Sequence, residues 1–264
     1  MNFAIIGNGA IAQYVMLALQ SRSHRIVAQI LRPERIAQPP QTIDSDWLRV
    51  VRIEDLPDPT CSVIDCAGHE GLAIHGPDTL RAGHPMTTLS LGALANQTLC
   101  DALEAAAKQG GTRLTLATGA IGALDCLSAA RVGGLTRVSY VGRKPPLGWM
   151  GSPAEDTLDL ASMEDGPAVH FSGSAREAAT RYPKNANVAA AVALAGIGFD
   201  DTNVELIADP TIERNMHEIH AVGAFGTFQF SIEGDALKGN PRSSALAAMS
   251  AVRTAERAGD LIGF

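Results

Sequence analysis

The N-terminal residues constrain the fold of this chain more than any other segment. The apolar run NFAII, residues 2–6, leads directly into GNGAIA, residues 7–12, and residues 10–20 carry apolar side chains at helical spacing. A strand, a GxGxxA loop and a helix in this order are typical of a Rossmann dinucleotide-binding unit. The first glycine allows a tight turn, and the second lets the backbone approach the pyrophosphate of the cofactor closely. The predicted cofactor contacts in this loop are Gly7, Gly9, Ala10 and Ile11.

Strands and helices alternate through the first half of the chain. Beyond the loop, short apolar runs and helical patterns follow one another. The predicted strands are 25–31, 62–66, 86–91 and 113–117, and the predicted helices are 73–82 and 95–109. This alternation indicates βαβ units and a parallel sheet, so residues 1–118 are predicted to form an N-terminal Rossmann domain of the α/β class.

The pattern changes after residue 118. Strands with one apolar face now predominate, as in TFQFSIE, residues 227–233, and such alternation marks antiparallel strands with one buried face. The predicted strands are 137–142, 168–174, 204–209, 218–223 and 227–233, and the predicted helices are 121–131 and 187–195. We expect a second α/β (α+β) domain with a mixed or antiparallel sheet at residues 119–239. The C-terminal helical segment, residues 240–264, with its helix predicted over Ser244–Ala258, is expected to pack back on the first domain.

Composition argues against two classes of protein. Lys and Arg number 21 against 28 Asp and Glu, so the formal charge is −7, and such a chain is a poor candidate for binding nucleic acid. No apolar run approaches the ~20 residues that a membrane helix needs. The four cysteines show no CxxC spacing. These features predict a cytoplasmic protein with reduced thiols, without a membrane or nucleic-acid partner.

The end of the second strand bears on the choice of cofactor. NAD-specific Rossmann domains place an Asp or Glu there to bind the ribose 2′-hydroxyl, and an acid is missing from the segment ILRPER, residues 30–35. Arg32 and Arg35 offer positive charge for a 2′-phosphate. NADP is therefore predicted to be accepted, alongside NAD, with Arg32 as a contact. The alternative is that both arginines are solvated surface groups.

The segment RNMHEIH, residues 214–220, carries two histidines around a glutamate and suggests a zinc hydrolase. That class needs histidines four positions apart on a helix, together with further ligands. His217 and His220 are three apart in a predicted strand, which places them on opposite faces, and no other Cys, His or Asp cluster completes a site. No metal is therefore predicted. Glu218 is also off the His217 face, so it does not orient that ring.

Several ordered segments give the chain a resemblance to a known family. They include GNGAIAQ at the start, DCAGHEGL at 65–72, TGAIGALD at 118–125, YPKNANVAA at 182–190 and ADPTIERNMHEIHAVGAFG at 208–226. Across nearly its whole length, the chain resembles the L-aspartate dehydrogenase family. The resemblance implies a homodimer in which the second domain serves catalysis and dimerisation. It also implies NAD(P)-dependent oxidation of L-aspartate to iminoaspartate, which hydrolyses to oxaloacetate and ammonia or feeds NAD biosynthesis.

The same resemblance assigns site residues. It implies cofactor contacts at Ala120, in TGAI, and at Asn187, in KNAN, and a catalytic histidine at His217. A histidine titrates near neutrality, so it suits proton removal from the amine and activation of the water that reaches the imine. For Asn187 the alternative is a plain helix cap. Arg242 is a mild departure, since lysine is more usual there.

Aspartate has two carboxylates, which need cations or directed N–H groups. Lys144 precedes Pro145-Pro146 in what reads as a stiff loop after a strand, and it is predicted to contact substrate together with Asn187. The alternative for Lys144 is a solvated surface group. The other candidate cations are Arg143, Lys184 and Arg214. His69 is expected in the nicotinamide pocket or in a turn, and the histidines expected on the surface or in loops are His24, His75, His84 and His170.

Two other functions are compatible with the sequence. A non-catalytic dinucleotide sensor keeps the Rossmann fold without chemistry, although it has no need of His217 or Lys144. A related amino-acid or semialdehyde dehydrogenase keeps the chemistry with a different substrate, because only the resemblance specifies aspartate.

Overall fold

The computed structural model describes residues 1–36, 46–183, 185–238 and 240–262. The chain divides into two compact units. The first consists of Met1–Ala117 together with the C-terminal segment from Ala248, and the second is continuous, Thr118–Ala247. Every helix in the described ranges is too short or too polar to cross a lipid bilayer.

The first unit is built on a parallel sheet. Its elements are β1 (Asn2–Ile6), α1 (Ala10–Ser21), β2 (Arg25–Ile30), α2 (Pro33–Ile36), β3 (Leu48–Val50), β4 (Ser62–Asp65), α3 (Gly68–Arg81), β5 (Met86–Thr88), α4 (Gln97–Gly110) and β6 (Leu114–Leu116). All neighbours in the order β3-β2-β1-β4-β5-β6 are parallel. The order reverses between β1 and β4, which is where doubly wound sheets bind ligands. The predicted α/β class and Rossmann-type sheet are confirmed.

Helix α4 shows how local sequence sets the ends of these elements. The Asn96 side chain accepts a hydrogen bond from the Leu99 N–H and so caps the first turn. Gly111 ends the helix in the left-handed conformation, φ 61°, which costs glycine least. The predicted strand 86–91 is wrong at its C-terminal end, since Leu91–Ala95 form a short 3₁₀ helix.

The second unit is built on a mixed sheet. Its elements are α5 (Leu124–Gly133), β7 (Leu135–Lys144), β8 (Ala168–Ser174), α6 (Ala175–Arg181), α7 (Asn187–Ala195), β9 (Asn203–Ala208), β10 (Asn215–Gly223), β11 (Gly226–Gly234), β12 (Ala236–Leu237) and β13 (Asn240–Ser244). The order is β11-β10-β7-β9-β8, with only β7 and β9 parallel. The mixed sheet and the β10–β11 hairpin agree with prediction.

The helix predicted over Ser244–Ala258 is confirmed, but the C-terminal segment 240–264 begins with a strand instead of a helix. Residues 240–244 form β13, which pairs with β12, and helix α8 then runs over Ala245–Glu256. Pro241 has no N–H for a helical hydrogen bond, which is consistent with a helix that begins only after it. In the first unit, the α8 residues Ala251, Val252 and Ala255 pack in one core cluster with residues that include Phe3, Ile5, Val15, Leu19 and Ile64.

Candidate active site

The first glycine of the loop is required by its backbone. Gly7 has φ +106°, and a Cβ added there would lie 3.1 Å from the Cys66 carbonyl oxygen, at the end of β4. The Gly7 N–H donates to the Ile30 carbonyl oxygen at 3.0 Å, and Gln29 Nε2 donates to the Gly7 carbonyl oxygen at 2.9 Å. The loop is thus held between the ends of β2 and β4.

The second glycine of the loop, Gly9, borders open space. Gly9 precedes α1 with extended backbone, and a Cβ added there would meet no atom within 4 Å. No side chain caps α1 and its first turn has no acidic residue, so its N–H groups and dipole are available to an anion. Ala10 begins the helix, and Ile11 packs against the core cluster. This open, uncapped helix start fits the pyrophosphate of a dinucleotide.

A cavity of about 280 Å³ adjoins the loop. Its lining includes Gly7, Gly9, Arg32, Arg35 and His75, and none of its described lining residues is acidic. Arg32 forms an ion pair with Glu70, in the first turn of α3, and both side chains are exposed. His69 lies in the same turn and is half-buried. The cavity wall therefore carries positive charge, part of which Glu70 already compensates.

A buried carboxylate that sequence reasoning overlooked supports the other side of this cavity. Asp65 ends β4 and accepts hydrogen bonds from Thr88 Oγ1 and Ser90 Oγ, both at 2.7 Å, and from the Ala67 N–H at 2.9 Å. Burial raises the pKa of Asp65, although these bonds oppose the rise. The network holds the β4–α3 turn, whose Cys66 carbonyl lies against Gly7.

One face of the second unit's sheet carries a buried imidazole. His217 lies on β10 directly opposite Gly142 of β7, and its Nδ1 is 2.8 Å from Tyr140 Oη. His220 is half-exposed on the other face, with Nε2 3.5 Å from Glu218 Oε2. The predicted strand and the opposite orientation of the two histidines are confirmed. Within the described residues, no three His, Cys, Asp or Glu side chains group as metal ligands.

Burial sets the protonation of this imidazole. Burial, with a smaller contribution from the Lys144 charge, lowers the pKa of His217 to about 3. Burial also raises the pKa of Tyr140 well above its ordinary value. At neutral pH the pair is therefore an uncharged imidazole hydrogen-bonded to a protonated phenol.

Lys144 is buried on the same face. It is the last residue of β7, pairs with Ala208 of β9, and is 7% exposed, so the predicted loop position and the solvated alternative are both wrong. Its Nζ lies 4.8 Å from the centre of the Trp149 ring. Burial lowers the pKa of Lys144 to about 8, and no carboxylate contributes to that shift. The site thus holds a cation whose charge the described residues leave uncompensated.

The other candidate cations differ from Lys144. Arg143 lies on the opposite face of β7, and its Nη1 is 2.9 Å from Oδ2 of the buried Asp209. Arg214 pairs at 2.8 Å with Asp235, and both side chains are exposed. Lys184 lies outside the described residues. Both described arginines are thus already compensated by carboxylates.

Ala120 and Asn187 both belong to the second unit. Ala120 is buried in the segment before α5, 8% exposed. Asn187 is the first residue of α7, while Ala186 occupies the cap position and no side chain caps the helix. Asn187 thus lies at the first helical position, one residue after the cap.

Two histidines expected on the surface are buried. The pairing register of β8 shifts between Val169 and Phe171. At this irregularity His170 and its neighbour Phe171 are both buried. His170 Nδ1 lies 3.1 Å from Tyr182 Oη, and burial lowers the pKa of His170 to about 4. His84, in the first unit, has its Nδ1 2.9 Å from the Cys61 carbonyl oxygen.

Similarity to known proteins covers both units. The sequence profile described as "Aspartate dehydrogenase, C-terminal" matches residues 125–258, and that described as "Homoserine dehydrogenase, NAD binding domain" matches residues 7–117. An L-aspartate dehydrogenase of Ruegeria pomeroyi is 50% identical over 262 residues, covering 99% of this chain and 94% of the relative. One from Cupriavidus necator is 43% identical over 256 residues, which is 96% of each.

A solved structure extends the similarity to three dimensions. The crystal structure of aspartate dehydrogenase from Thermotoga maritima has a TM-score of 0.77 and 25% identity, and covers 100% of this chain and 99% of that one. The likeness therefore reaches well beyond the glycine loop.

Proposed function

Because this chain belongs to the aspartate dehydrogenase family, we propose that it oxidises L-aspartate to iminoaspartate and that His217 is its acid–base residue. The chain is an NAD(P)-dependent oxidoreductase. The observation that carries the chemical assignment is the buried face shared by His217 and Lys144. An uncharged base beside an uncompensated cation suits a substrate with an ammonium group and two carboxylates.

Amine oxidation requires that a hydride leaves Cα and that the nitrogen gives up a proton. The nicotinamide of the bound cofactor supplies the hydride acceptor. The His217 imidazole is unprotonated at neutral pH, so it can accept the proton from nitrogen. A substrate carboxylate offsets the Lys144 charge, which removes one cause of the lowered His217 pKa and strengthens the base. Once that proton has passed to solvent, the same imidazole takes a proton from the water that attacks the imine carbon, and returns it to the nitrogen that leaves as ammonia.

Lys144 is the proposed partner of a substrate carboxylate. Its ammonium group is buried beside the Trp149 ring and forms no ion pair with any carboxylate of the described residues, so a substrate carboxylate would supply the counter-charge. Asn187 is proposed as a further contact to substrate and cofactor, and Ala120 as a contact to cofactor, on the strength of the resemblance. The glycine loop is proposed to hold the pyrophosphate.

Gly9→Ala is expected to weaken NADH binding by about tenfold or more without lowering thermal stability, since its Cβ occupies only the space proposed for the pyrophosphate. Gly7→Ala is the contrasting variant. It is expected to lower the melting temperature, because its Cβ meets the Cys66 carbonyl and its φ is positive. Titration calorimetry and thermal melts measure both effects. Wild-type NADH affinity in Gly9→Ala would contradict the proposed pyrophosphate site.

Arg32→Ala is expected to raise the KM for NADP by about tenfold and to leave the KM for NAD nearly unchanged, because one exposed charge-assisted contact is lost. Glu70→Gln provides the opposite change, since it frees Arg32 from its ion pair and should lower the KM for NADP. Steady-state kinetics with each cofactor measure the ratio of the KM for NADP to the KM for NAD. An unchanged KM for NADP in Arg32→Ala would show that the arginine is only a solvated surface group.

Absorbance of the reduced cofactor tests the activity itself. We expect turnover with L-aspartate and little with L-glutamate, L-alanine or L-homoserine. Faster turnover of another substrate would assign a related dehydrogenase activity. Cofactor binding without turnover of any substrate would support a sensor.

We also propose a homodimer and a role for iminoaspartate as a precursor in NAD biosynthesis, both on the strength of the resemblance. β11 is the edge strand of the five-stranded sheet, which leaves one side of this strand for a second copy. Sedimentation velocity tests the assembly, and a monomer at micromolar concentration would contradict it. Loss of NAD synthesis from aspartate in cells lacking the chain tests the role.

A further inference from the structure

Gly142 leaves room beside the His217 ring. Its position directly opposite His217 means that the nearest residue on β7 has no side chain. A Cβ added to Gly142 would lie 2.6 Å from Tyr140 Oη and 3.1 Å from Tyr140 Cζ. The missing side chain thus provides the space through which the phenol reaches the imidazole.

The phenol and imidazole form a closely defined pair. Tyr140 Oη is 2.8 Å from His217 Nδ1, and the rings are stacked at an interplanar angle of 19° with centroids 6.0 Å apart. Both side chains are buried. A buried hydrogen bond of this length fixes the rotation of the imidazole, and the direction of the bond sets which ring nitrogen carries the proton.

Resting on the proposed role of His217, we propose that Tyr140 is a positioning residue that holds the imidazole in the tautomer protonated on Nδ1. A base that accepts a proton at Nε2 must carry its other proton on Nδ1, and Tyr140 Oη accepts that N–H. Once Nε2 is protonated, the same hydrogen bond stabilises the imidazolium. Tyr140 itself neither gains nor loses a proton.

Few other groups of the described residues act on the His217 ring. Lys144 of β7 is the charged group whose field reaches it, and it disfavours the imidazolium. On β11 the residue opposite His217 is Ile232, which carries no charge. Among the described residues, Tyr140 is the hydrogen-bond partner of the imidazole.

A double-mutant cycle tests the proposal. Tyr140→Phe is expected to lower kcat by on the order of 10- to 100-fold, as losses of orienting partners do, but not to lower it further when combined with His217→Ala. It should also move the acidic limb of the kcat/KM profile to lower pH, because the imidazolium loses its acceptor. Gly142→Ala keeps the hydroxyl but displaces it, and is expected to reproduce both effects.

Tyr182→Phe is the matched control. Tyr182 Oη forms a comparable contact, 3.1 Å, with His170 Nδ1 in the same unit, and has no proposed part in proton transfer. We expect its kcat and pH profile to stay close to wild type. Nitrogen NMR shifts of His217 give a readout independent of turnover, with Nδ1–H expected in the wild-type protein.

The outcomes separate this proposal from the one on which it rests. If Tyr140→Phe lowers kcat by the same factor in the wild-type and His217→Ala backgrounds, Tyr140 acts independently of His217. That result would overturn the inference. A second outcome is that Tyr140→Phe keeps the wild-type kcat and pH profile while His217→Ala is inactive. This would overturn the role of Tyr140 and leave the proposed role of His217 intact. A resting tautomer protonated on Nε2 also overturns the role of Tyr140. Near-normal turnover in His217→Ala would remove both proposals.

Discussion

Replacing His217 with alanine is expected to reduce kcat by about 10²- to 10⁴-fold, the usual contribution of general acid–base catalysis. The dissociation constant of NADH should change little, because the glycine loop belongs to the first unit and this side chain to the second. The small cavity left in the sheet should lower the melting temperature only modestly. Steady-state kinetics with saturating cofactor, paired with NADH titration, measure the two effects separately.

His220→Ala is the matched control for that experiment. His220 lies on the same strand, three residues away, but on the opposite face beside Glu218. Its removal is expected to leave kcat near the wild-type value. A His217→Ala enzyme whose turnover is within a few-fold of wild type would rule out His217 as the base.

Lys144→Met is expected to weaken substrate binding while stabilising the fold. Loss of the buried cation should raise the KM for L-aspartate by about 100-fold, in the range found when one partner of a desolvated charge pair is removed. Methionine has a similar volume without the charge, so the cost of burying an unpaired ammonium disappears. We expect the free energy of unfolding to rise by about 1–3 kcal/mol at neutral pH.

The gain in stability should depend on pH. Burial lowers the pKa of Lys144 from 10.5 to about 8. Below pH 8 the amine is charged in both folded and unfolded chains, so the fold bears the whole cost of burial. Between pH 8 and 10.5 the unfolded chain binds more protons, and wild-type stability therefore rises with pH. The advantage of Lys144→Met in melting temperature should be largest at neutral pH and shrink across this window.

Whereas wild-type stability should rise between pH 8 and 10.5, the affinity for a dicarboxylate should fall over the same range. Succinate matches the carbon chain of aspartate but has no amine, so its inhibition constant is free of the substrate's own nitrogen titration. We expect this constant to rise by about tenfold per pH unit above the Lys144 pKa, and to be insensitive to pH in Lys144→Met.

Lys108→Met is the control for both measurements. It removes an exposed lysine that pairs with Glu104 at 2.8 Å on α4, so neither succinate inhibition nor its pH dependence should change. Wild-type succinate inhibition in Lys144→Met would show that this lysine does not bind a substrate carboxylate.

The Rossmann half of the fold was predictable because its signals are local. Gly7 and Gly9 lie between an apolar strand and an apolar helix. Glycine is required at position 7 by the backbone conformation, and at position 9 it leaves space for a ligand. The predicted strands of this half were confirmed as parallel neighbours, apart from the shorter β5. Asp65 escaped prediction because its partners Thr88 and Ser90 come from a neighbouring strand and the turn after it.

The second unit was less predictable because its important contacts are distant in sequence. Tyr140 and His217 are separated by 77 positions, and only the register that places Gly142 opposite His217 identifies the pair. Lys144 seemed to belong to a loop because Pro145 follows it, yet strand pairing continues through Lys144 before the proline. His170 turns inward at an irregularity that strict alternation along a strand does not predict.

The discontinuity of the first unit has a consequence for biosynthesis. Its core combines Phe3 and Ile5 with Ala251, Val252 and Ala255 of α8, so that packing must wait until α8 has left the ribosome. The second unit is continuous from Thr118 to Ala247 and is complete as soon as those residues emerge. Co-translational folding usually proceeds from the N-terminus. Here the later-synthesised unit can mature first, and a nascent chain that stalls before α8 leaves the N-terminal sheet exposed to chaperones.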